Sequence, residues 1–271
     1  PGINTTNFFG STDSERLRSV AADVAVMAIK DQYYGYNPDT QTMVWKDIDG
    51  GFNLEDFKAQ LRYIIDHIKE DTQLLGLLRD YYPGINTTAF FGATDSERLR
   101  AVAAEVAVMA TRNQYYSYDS DADVMLWKPI AGEFNLGTFK EQLTYLIDNV
   151  INDAELLGLL RDYYPGIDTS SYWGAADSEK LRAVAAEVAV MATTGLYYGY
   201  NPDTQTMEWK PIEGGFNLQD YKAQLRYIID NIIPDSELLG LLRDYNPGIN
   251  TTNFFGSTDS ERLRSVAADV A

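Results

Sequence analysis

The chain has 271 residues, with 40 acidic and 22 basic side chains, a formal net charge of −18 and no cysteine. Such an acidic surface repels polyanions, which argues against nucleic-acid binding, and the lack of cysteine removes disulfides, thiolate nucleophiles and cysteine-type zinc sites. No apolar run approaches the roughly 18 residues that a membrane-spanning helix requires, so we expect no membrane span.

The sequence is periodic. The string Pro-Gly-Ile recurs at a constant interval, at Pro1, Pro83, Pro165 and Pro247. The segment 247–271 repeats the segment 1–25 letter for letter. Repeats at fixed spacing are typical of arrays whose units stack on their neighbours. We predict three repeat units and a partial fourth that stops inside its first helix, as in a window cut from a longer polymer: 1–82, 83–164, 165–246 and 247–271.

The first predicted element of each unit is an apolar helix. Thr12 and Glu15 form a capping box, which predicts that the helix begins there. From Leu17 to Ala28 the apolar residues cover most of the helix circumference, so the helix should be buried on several sides. Many of them are alanine, which permits close approach. We therefore expect this helix to pack between its own unit and the adjacent one.

A β-hairpin should follow. Aromatic and β-branched residues in 32–36 and 43–46 flank a turn sequence that begins at Asn37. Met43 and Trp45 recur in every unit while the residue between them changes, so we expect these two to face protein and their neighbour to face solvent. Because a lone hairpin is marginal in water, it should lie on the helices.

Two further helices complete the unit. Asn53 can cap a helix whose apolar residues, from Leu54 to Ile68, have the spacing of one amphipathic face. Asp71 can cap a short helix that stops before Pro83. Within it, Gly76 suggests close backbone contact, because glycine costs about 1 kcal/mol against alanine there. The sequence thus predicts a helix-rich α+β unit with the order helix, β-hairpin, helix, helix.

The joints between units carry large apolar side chains. Flexible linkers are rich in glycine and serine, whereas these joints contain isoleucine and aromatic residues that need burial. We therefore expect docked joints with a fixed angle, and an array of tandem repeats stacked into a stiff rod or superhelix. The candidate inter-unit packing residues are Ile85, Phe90, Phe91, Ile167, Tyr172, Trp173, Ile249, Phe254 and Phe255.

The same joints contain Asn-Thr-Thr triplets at Asn4, Asn86 and Asn250. This is the acceptor pattern for N-glycosylation, and glycans would make the protein an exported one. The alternative is a turn-forming asparagine with neighbouring hydroxyl groups. The three triplets count as one observation, because they are copies.

The sequence gives little support for a metal-binding site or for catalysis by a serine nucleophile. Residues 119–123 resemble the start of a calcium loop, but Val124 stands where that loop needs glycine and Ile130 where it needs glutamate. We interpret the segment as a solvated hairpin tip. The single histidine, His67, is asparagine in the other units, which indicates a helix-surface position and leaves serine without a recurring base. We predict no metal site and no cofactor.

Carboxylates that recur in all units leave a hydrolase as a third hypothesis, since glycosidases need only two acids. Most of them already have a role as helix caps, and so small a unit offers little room for a deep cleft. We therefore predict that the protein is not an enzyme. The recurring acids of the first unit are Asp13, Glu15, Asp66, Asp71 and Asp80.

The sequence favours a structural role: an extracellular or cell-surface fibre, filament or stalk built by head-to-tail stacking, with the protein itself as partner and glycans at the joints. The alternative is an adhesin array with one weak glycan or protein site in each unit, strengthened by avidity. Its stacking residues would be Tyr34, Trp45, Tyr116, Trp127, Tyr198 and Trp209.

Overall fold

The computed structural model describes residues 14–85, 88–92, 95–167, 171–174, 178–246, 248–249 and 260–271. More than half of these residues are helical and the strands form short antiparallel hairpins, which confirms the predicted helix-rich α+β class. The chain divides between Asn113 and Gln114 into two compact units.

The first compact unit holds four helices and one hairpin within its described residues. They are α1 (Ser14–Lys30), β1 (Gln32–Asn37), β2 (Thr42–Asp47), α2 (Leu54–Tyr63) continuing into a π-helical turn (Ile64–Ile68), α3 (Thr72–Tyr81) and α4 (Ser96–Arg112).

The second compact unit begins at a hairpin, and the order hairpin, helix, helix, helix occurs twice in its described residues. Its elements are β3 (Gln114–Asp119), β4 (Val124–Pro129), α5 (Leu136–Tyr145) with a π turn (Leu146–Val150), α6 (Ala154–Tyr163), α7 (Ser178–Thr194), β5 (Leu196–Asn201), β6 (Thr206–Pro211), α8 (Leu218–Tyr227) with a π turn (Ile228–Ile232), α9 (Ser236–Tyr245) and α10 (Ser260–Val270).

Local side-chain chemistry fixes the hairpins. The side chain of Asn37 accepts hydrogen bonds from two turn amides at 2.9 and 3.1 Å, and Asp119 and Asn201 do the same in the other hairpins. Such Asx turns mimic a backbone turn and set the loop. The resulting register places Tyr34 opposite Trp45.

The predicted caps of the second and third helices are confirmed. Asn53 accepts the amide of Glu55 at 2.9 Å, and Asp71 accepts that of Leu74 at 2.9 Å. Gly76 does not serve the close backbone contact that we expected. A Cβ there would meet only the Arg79 guanidinium of the same helix, at 3.6 Å, which is ordinary contact.

The core of the first compact unit is completed by a helix from the second sequence repeat. Helix α4 packs against α2, α3, β1 and the π turn that follows α2. In the second compact unit, α7 packs in the same way on α5, α6, β3 and their π turn, and it also contacts β5. Helix α10 lies on α9, β5 and the last π turn. Each hairpin is therefore packed against the first helix of the following sequence repeat.

The expectation that Trp45 faces protein is wrong in the first hairpin. Its indole is 44% exposed. The opposite face of the hairpin is the one turned to α4, because Lys46, next to Trp45, reaches the Glu105 carboxylate at 3.2 Å. Burial along the second strands does not alternate with a period of two residues, so the predicted alternation of a protein face and a solvent face is not seen.

Candidate interaction surface

We call the seam the contact between the first helix of a repeat and the hairpin and helices of the repeat before it. The described residues contain it three times, at α4, α7 and α10. At each seam a tyrosine near the end of the first strand is almost fully buried: Tyr36, Tyr118 and Tyr200 are 1%, 3% and 0% exposed. A cation from the first turn of the incoming helix lies over each ring, since Arg98, Lys180 and Arg262 are 5.8, 5.3 and 5.6 Å from the respective centroids. Cation–π contacts of this kind gain strength when they are desolvated.

The hydroxyl end of the same tyrosine holds the joint. Tyr36 donates a hydrogen bond to the Pro83 carbonyl oxygen. A Cβ on Gly84 would lie 3.0 Å from the Tyr36 hydroxyl, and one on Gly248 would lie 2.7 Å from that of Tyr200. Gly84, Gly166 and Gly248 therefore allow the backbone to approach the hairpin closely.

A lysine of the second strand and an acid of the incoming helix form the next contact of the seam. Lys46 and Glu105 are paired at 3.2 Å. In the second compact unit, burial raises the pKa of Glu187, which Lys128 and the Ser117 hydroxyl offset only in part. Burial alone would lower the pKa of Lys128, yet Glu187 and Glu261 together raise it. The lysine is therefore held in its charged form by two carboxylates.

The apolar part of the seam is dry. On α4 and α7 the seam residues are at most 2% exposed: Leu99, Val102, Ala103, Val106, Ala107, Leu181, Val184, Ala185, Val188 and Ala189. The alanines among them are small enough to let the helix axis approach its neighbours. Burial of this apolar surface stabilises the contact between the helix and the hairpin and helices before it.

The predicted joint residues are mostly buried where they are described. Ile85, Phe90, Ile167, Tyr172 and Ile249 are at most 6% exposed. The expected burial of Phe91 is wrong, because its ring is 39% exposed and lies 5.4 Å from the Arg100 guanidinium. Trp173 is partly buried beneath Arg182 at 4.4 Å. The remaining candidates, including the predicted helix cap, lie outside the described residues: Phe254, Phe255, Asn4, Asn86, Asn250 and Thr12.

The proposed stacking residues form one tilted ring pair in each hairpin. The pairs are Tyr34–Trp45, Tyr116–Trp127 and Tyr198–Trp209, with centroids 5.3, 5.2 and 5.2 Å apart. Their surroundings differ. Tyr34 and Trp45 are 45% and 44% exposed, whereas Trp209 lies 6.5 Å from Tyr115 of the preceding hairpin. The Trp209 pair is therefore partly buried, whereas the Trp45 pair is more exposed and has the Lys30 ammonium 5.5 Å from the Trp45 ring centroid.

A second contact between repeats, which sequence reasoning missed, joins α6 to α8. Lys222, whose side chain is 5% exposed, pairs with Asp153 at 2.5 Å and with Glu155 at 3.0 Å. Arg226 also binds Glu155. Asp153 additionally caps α6, by accepting the Leu156 amide at 3.0 Å. The signal was present, since a lysine at 58, 140 and 222 and an aspartate at 71, 153 and 235 recur at the repeat interval.

Three carboxylates approach one another near the tip of the second hairpin. Asp119, Asp121 and Glu261 each place an oxygen within 4.8 Å of the others. All have protein partners: Asp119 accepts turn amides, Asp121 accepts the Glu261 amide at 3.0 Å, and Glu261 pairs with Lys128 at 3.0 Å. The tip is therefore a docking point for the first turn of α10, where an aspartate satisfies the helix N-terminus.

A cavity of about 720 Å³ in the second compact unit lies among β5, β6, α8, α10 and the end of α6. Glu187 and Glu261 line it, together with several tyrosines. Glu187 accepts the Ser117 hydroxyl at 2.8 Å and Glu261 is paired with Lys128. These acids are engaged in seam contacts, which argues against their use as the free acid pair that the hydrolase hypothesis requires.

His67 lies exposed beside Tyr63, with ring centroids 4.7 Å apart.

Comparison with protein-family models, with curated proteins and with solved structures finds no match to this chain. None of the helices in the described ranges is both long and apolar enough to span a bilayer.

Proposed function

We propose that this is a structural tandem-repeat protein whose repeats stack head to tail into a stiff rod, as part of an extracellular fibre, filament or surface stalk. One observation carries the proposal: the first helix of a repeat completes the core of the repeat before it, at α4, α7 and α10. A unit that borrows a helix from its successor is incomplete alone, and such heterologous contacts propagate without closing unless the rotation makes a ring.

The stiffness of the proposed rod depends on the joints. Buried Ile85, Ile167 and Ile249, together with the tyrosine hydroxyls held against the joint glycines, leave little freedom at these points. Extracellular location and glycans on the joint asparagines belong to the same proposal. Mass spectrometry of native material tests the glycans, and unmodified Asn86 in every molecule would remove them from it.

The decisive experiment combines electron microscopy of native material with small-angle X-ray scattering of the chain. Stacked repeats should give fibres with a regular axial spacing, and a radius of gyration clearly above the ~18 Å expected for a compact chain of this length. Native material without fibres, from a chain whose repeats tumble independently, would refute the structural role.

The second candidate function is a binding array. The observation that favours it is the ring pair of the first hairpin, where Tyr34 and Trp45 are 45% and 44% exposed beside the Lys30 ammonium, because exposed aromatic rings can stack on sugar rings and repetition adds avidity. A glycan-array screen tests it. Binding that disappears in Trp45→Ala but persists in Trp209→Ala, whose ring is covered by Tyr115, would support this candidate. Equal binding by both variants and the wild type would count against it.

A further inference from the structure

The first helices of the repeats are of two kinds where they meet the hairpin. Helix α7 carries Ala183 and Glu187, and α4 carries the same two residue types at the matching places. Helix α10 instead carries Ser265 and Asp269. The hairpins differ as well, because the residue before the buried seam tyrosine is glycine in the first and third hairpins and Ser117 in the second. The variation therefore falls on both sides of one contact.

In the second hairpin, the serine binds the acid of the closing helix. Ser117 is 0% exposed, and its hydroxyl donates a hydrogen bond to the Glu187 carboxylate at 2.8 Å. Lys128 of the same hairpin pairs at 3.0 Å with Glu261 of α10. Losing the serine would leave the Glu187 carboxylate one hydrogen bond short, in a place where burial already raises its pKa.

The third hairpin holds its closing helix through different groups. The backbone amide of Tyr200 donates a hydrogen bond to the Ser265 hydroxyl oxygen at 2.8 Å, and the Tyr197 hydroxyl donates one to Asp269. A Cβ on Gly199 would lie 2.5 Å from the Tyr197 ring. A serine at this place would therefore displace the tyrosine that binds the aspartate.

The first hairpin resembles the third in this respect. A Cβ on Gly35 would lie 2.8 Å from the Tyr33 ring and 2.9 Å from the Lys46 side chain, and Lys46 pairs with Glu105 at 3.2 Å. Glycine thus lets the tyrosine and lysine of the hairpin approach one another, and the lysine binds the helix acid. Serine, in the second hairpin, binds the acid itself.

We propose that Ser117 is a specificity-determining residue of the seam, which makes the second hairpin prefer a closing helix with alanine and glutamate over one with serine and aspartate. The inference rests on the proposed stacking of repeats and names the kind of helix that this seam accepts. An aspartate at position 187 would be shorter by one carbon–carbon bond, about 1.5 Å, so its carboxylate would fall out of hydrogen-bond reach of the Ser117 hydroxyl.

The apolar part of the seam does not distinguish the two kinds of helix. Leucine, valine and alanine stand at the same three seam positions of α7 and α10: Leu181, Val184, Ala185, Leu263, Val266 and Ala267. Discrimination must therefore come from the polar contacts, because an unpaired polar group penalises the wrong partner. Repeat proteins misassemble when an element of one repeat takes the place of its copy, and such a preference disfavours that exchange.

A double-mutant cycle on the full chain tests the proposal, with native-state hydrogen exchange of the β3 and β4 amides as the measurement. One change is Ser117→Gly, and the other is the helix exchange Ala183→Ser with Glu187→Asp. We expect the helix exchange to lower the protection factors at least about tenfold when Ser117 is present, and less than about threefold after Ser117→Gly. The added flexibility of glycine cancels, because Ser117→Gly is compared with and without the helix exchange.

The matched control is the same helix exchange on α4, Ala101→Ser with Glu105→Asp, which faces Gly35. It should lower the protection of the β1 and β2 amides less than about threefold, because no serine in that hairpin requires a glutamate. Circular dichroism checks that each variant is folded. If the double exchange on α7 does not fold, Glu187→Asp alone gives the same comparison.

Equal losses of protection with Ser117 and with glycine, or a loss on α4 as large as that on α7, would overturn the selection by Ser117. Either result, in a chain that still scatters as an elongated particle, would leave the proposed rod standing. Repeats that tumble independently in solution would refute both the rod and the selection.

Discussion

Truncating one leucine at the seam provides a direct measure of its energy. Leu181 on α7 is fully buried, whereas the identical position on α1, Leu17, is only partly buried. Replacing a fully buried leucine by alanine costs about 2–5 kcal/mol, because transfer energy is lost and a cavity remains. Surface changes stay within about 0.5 kcal/mol. We expect Leu181→Ala to lose ~3 kcal/mol and Leu17→Ala less than ~1 kcal/mol.

Thermal unfolding at low micromolar concentration, where copies do not associate, measures the difference. A loss of ~3 kcal/mol corresponds to a fall in Tm of roughly 6–12 °C for a unit of this size. Leu17→Ala is the matched control, since both variants remove the same atoms from the same helix position. Equal losses in the two variants would refute the reasoning, because they would show that burial in the seam is not the source of the cost.

Three further predictions concern individual contacts. Glu187→Gln should stabilise the protein by an amount that grows from pH 4 to pH 7. Burial raises the pKa of Glu187 in the folded protein above its usual 4.5. The wild type therefore loses stability as the pH rises through the pKa of the folded state, and the glutamine variant does not. A pH-independent difference would contradict this. Gly84→Ala should lower the free energy of unfolding, measured in urea, by more than Gly50→Ala does. Both glycines have positive φ, 79° and 70°, and an alanine in such a conformation costs about 1–2 kcal/mol. Only at Gly84 would the added Cβ also meet the hairpin tyrosine. Lys222→Met should lower the free energy of unfolding by about 1–3 kcal/mol, because Lys222 is buried against its acidic partners. Lys58→Met should change it little, because the Lys58 side chain is 44% exposed. Equal values for the two variants would show that the α6–α8 ion pairs do not stabilise the protein.

Local structure could be read from the sequence because short-range chemistry determines it. Asn53 and Asp71 cap their helices as expected, and the side chain of Asn37 accepts a hydrogen bond from a backbone amide of its own turn. These features depend on residues within a few positions of one another. The fold class and element order followed from them.

Which faces are covered could not be read in this way. Leu61 and Leu225 occupy the same position of the repeat, yet one is 42% and the other 3% exposed. Likewise Trp45 is open and Trp209 meets Tyr115. Exposure here depends on the neighbouring repeat, which a pattern within one repeat does not contain. The lysine and aspartate that pair between α6 and α8 recur visibly in the sequence. That they pair with each other could be learned only from the folded structure.

The displacement between the sequence period and the folded unit has a genetic consequence. Each closing helix, at α4, α7 and α10, belongs to the period after the hairpin that it packs on, and it keeps the same types of seam residue: a cation over the tyrosine and an acid at the matching place further along the helix. Removing or inserting one whole period would therefore leave each hairpin followed, at the same distance along the chain, by a helix that can close it. An array with more or fewer periods would need no new type of contact between its repeats.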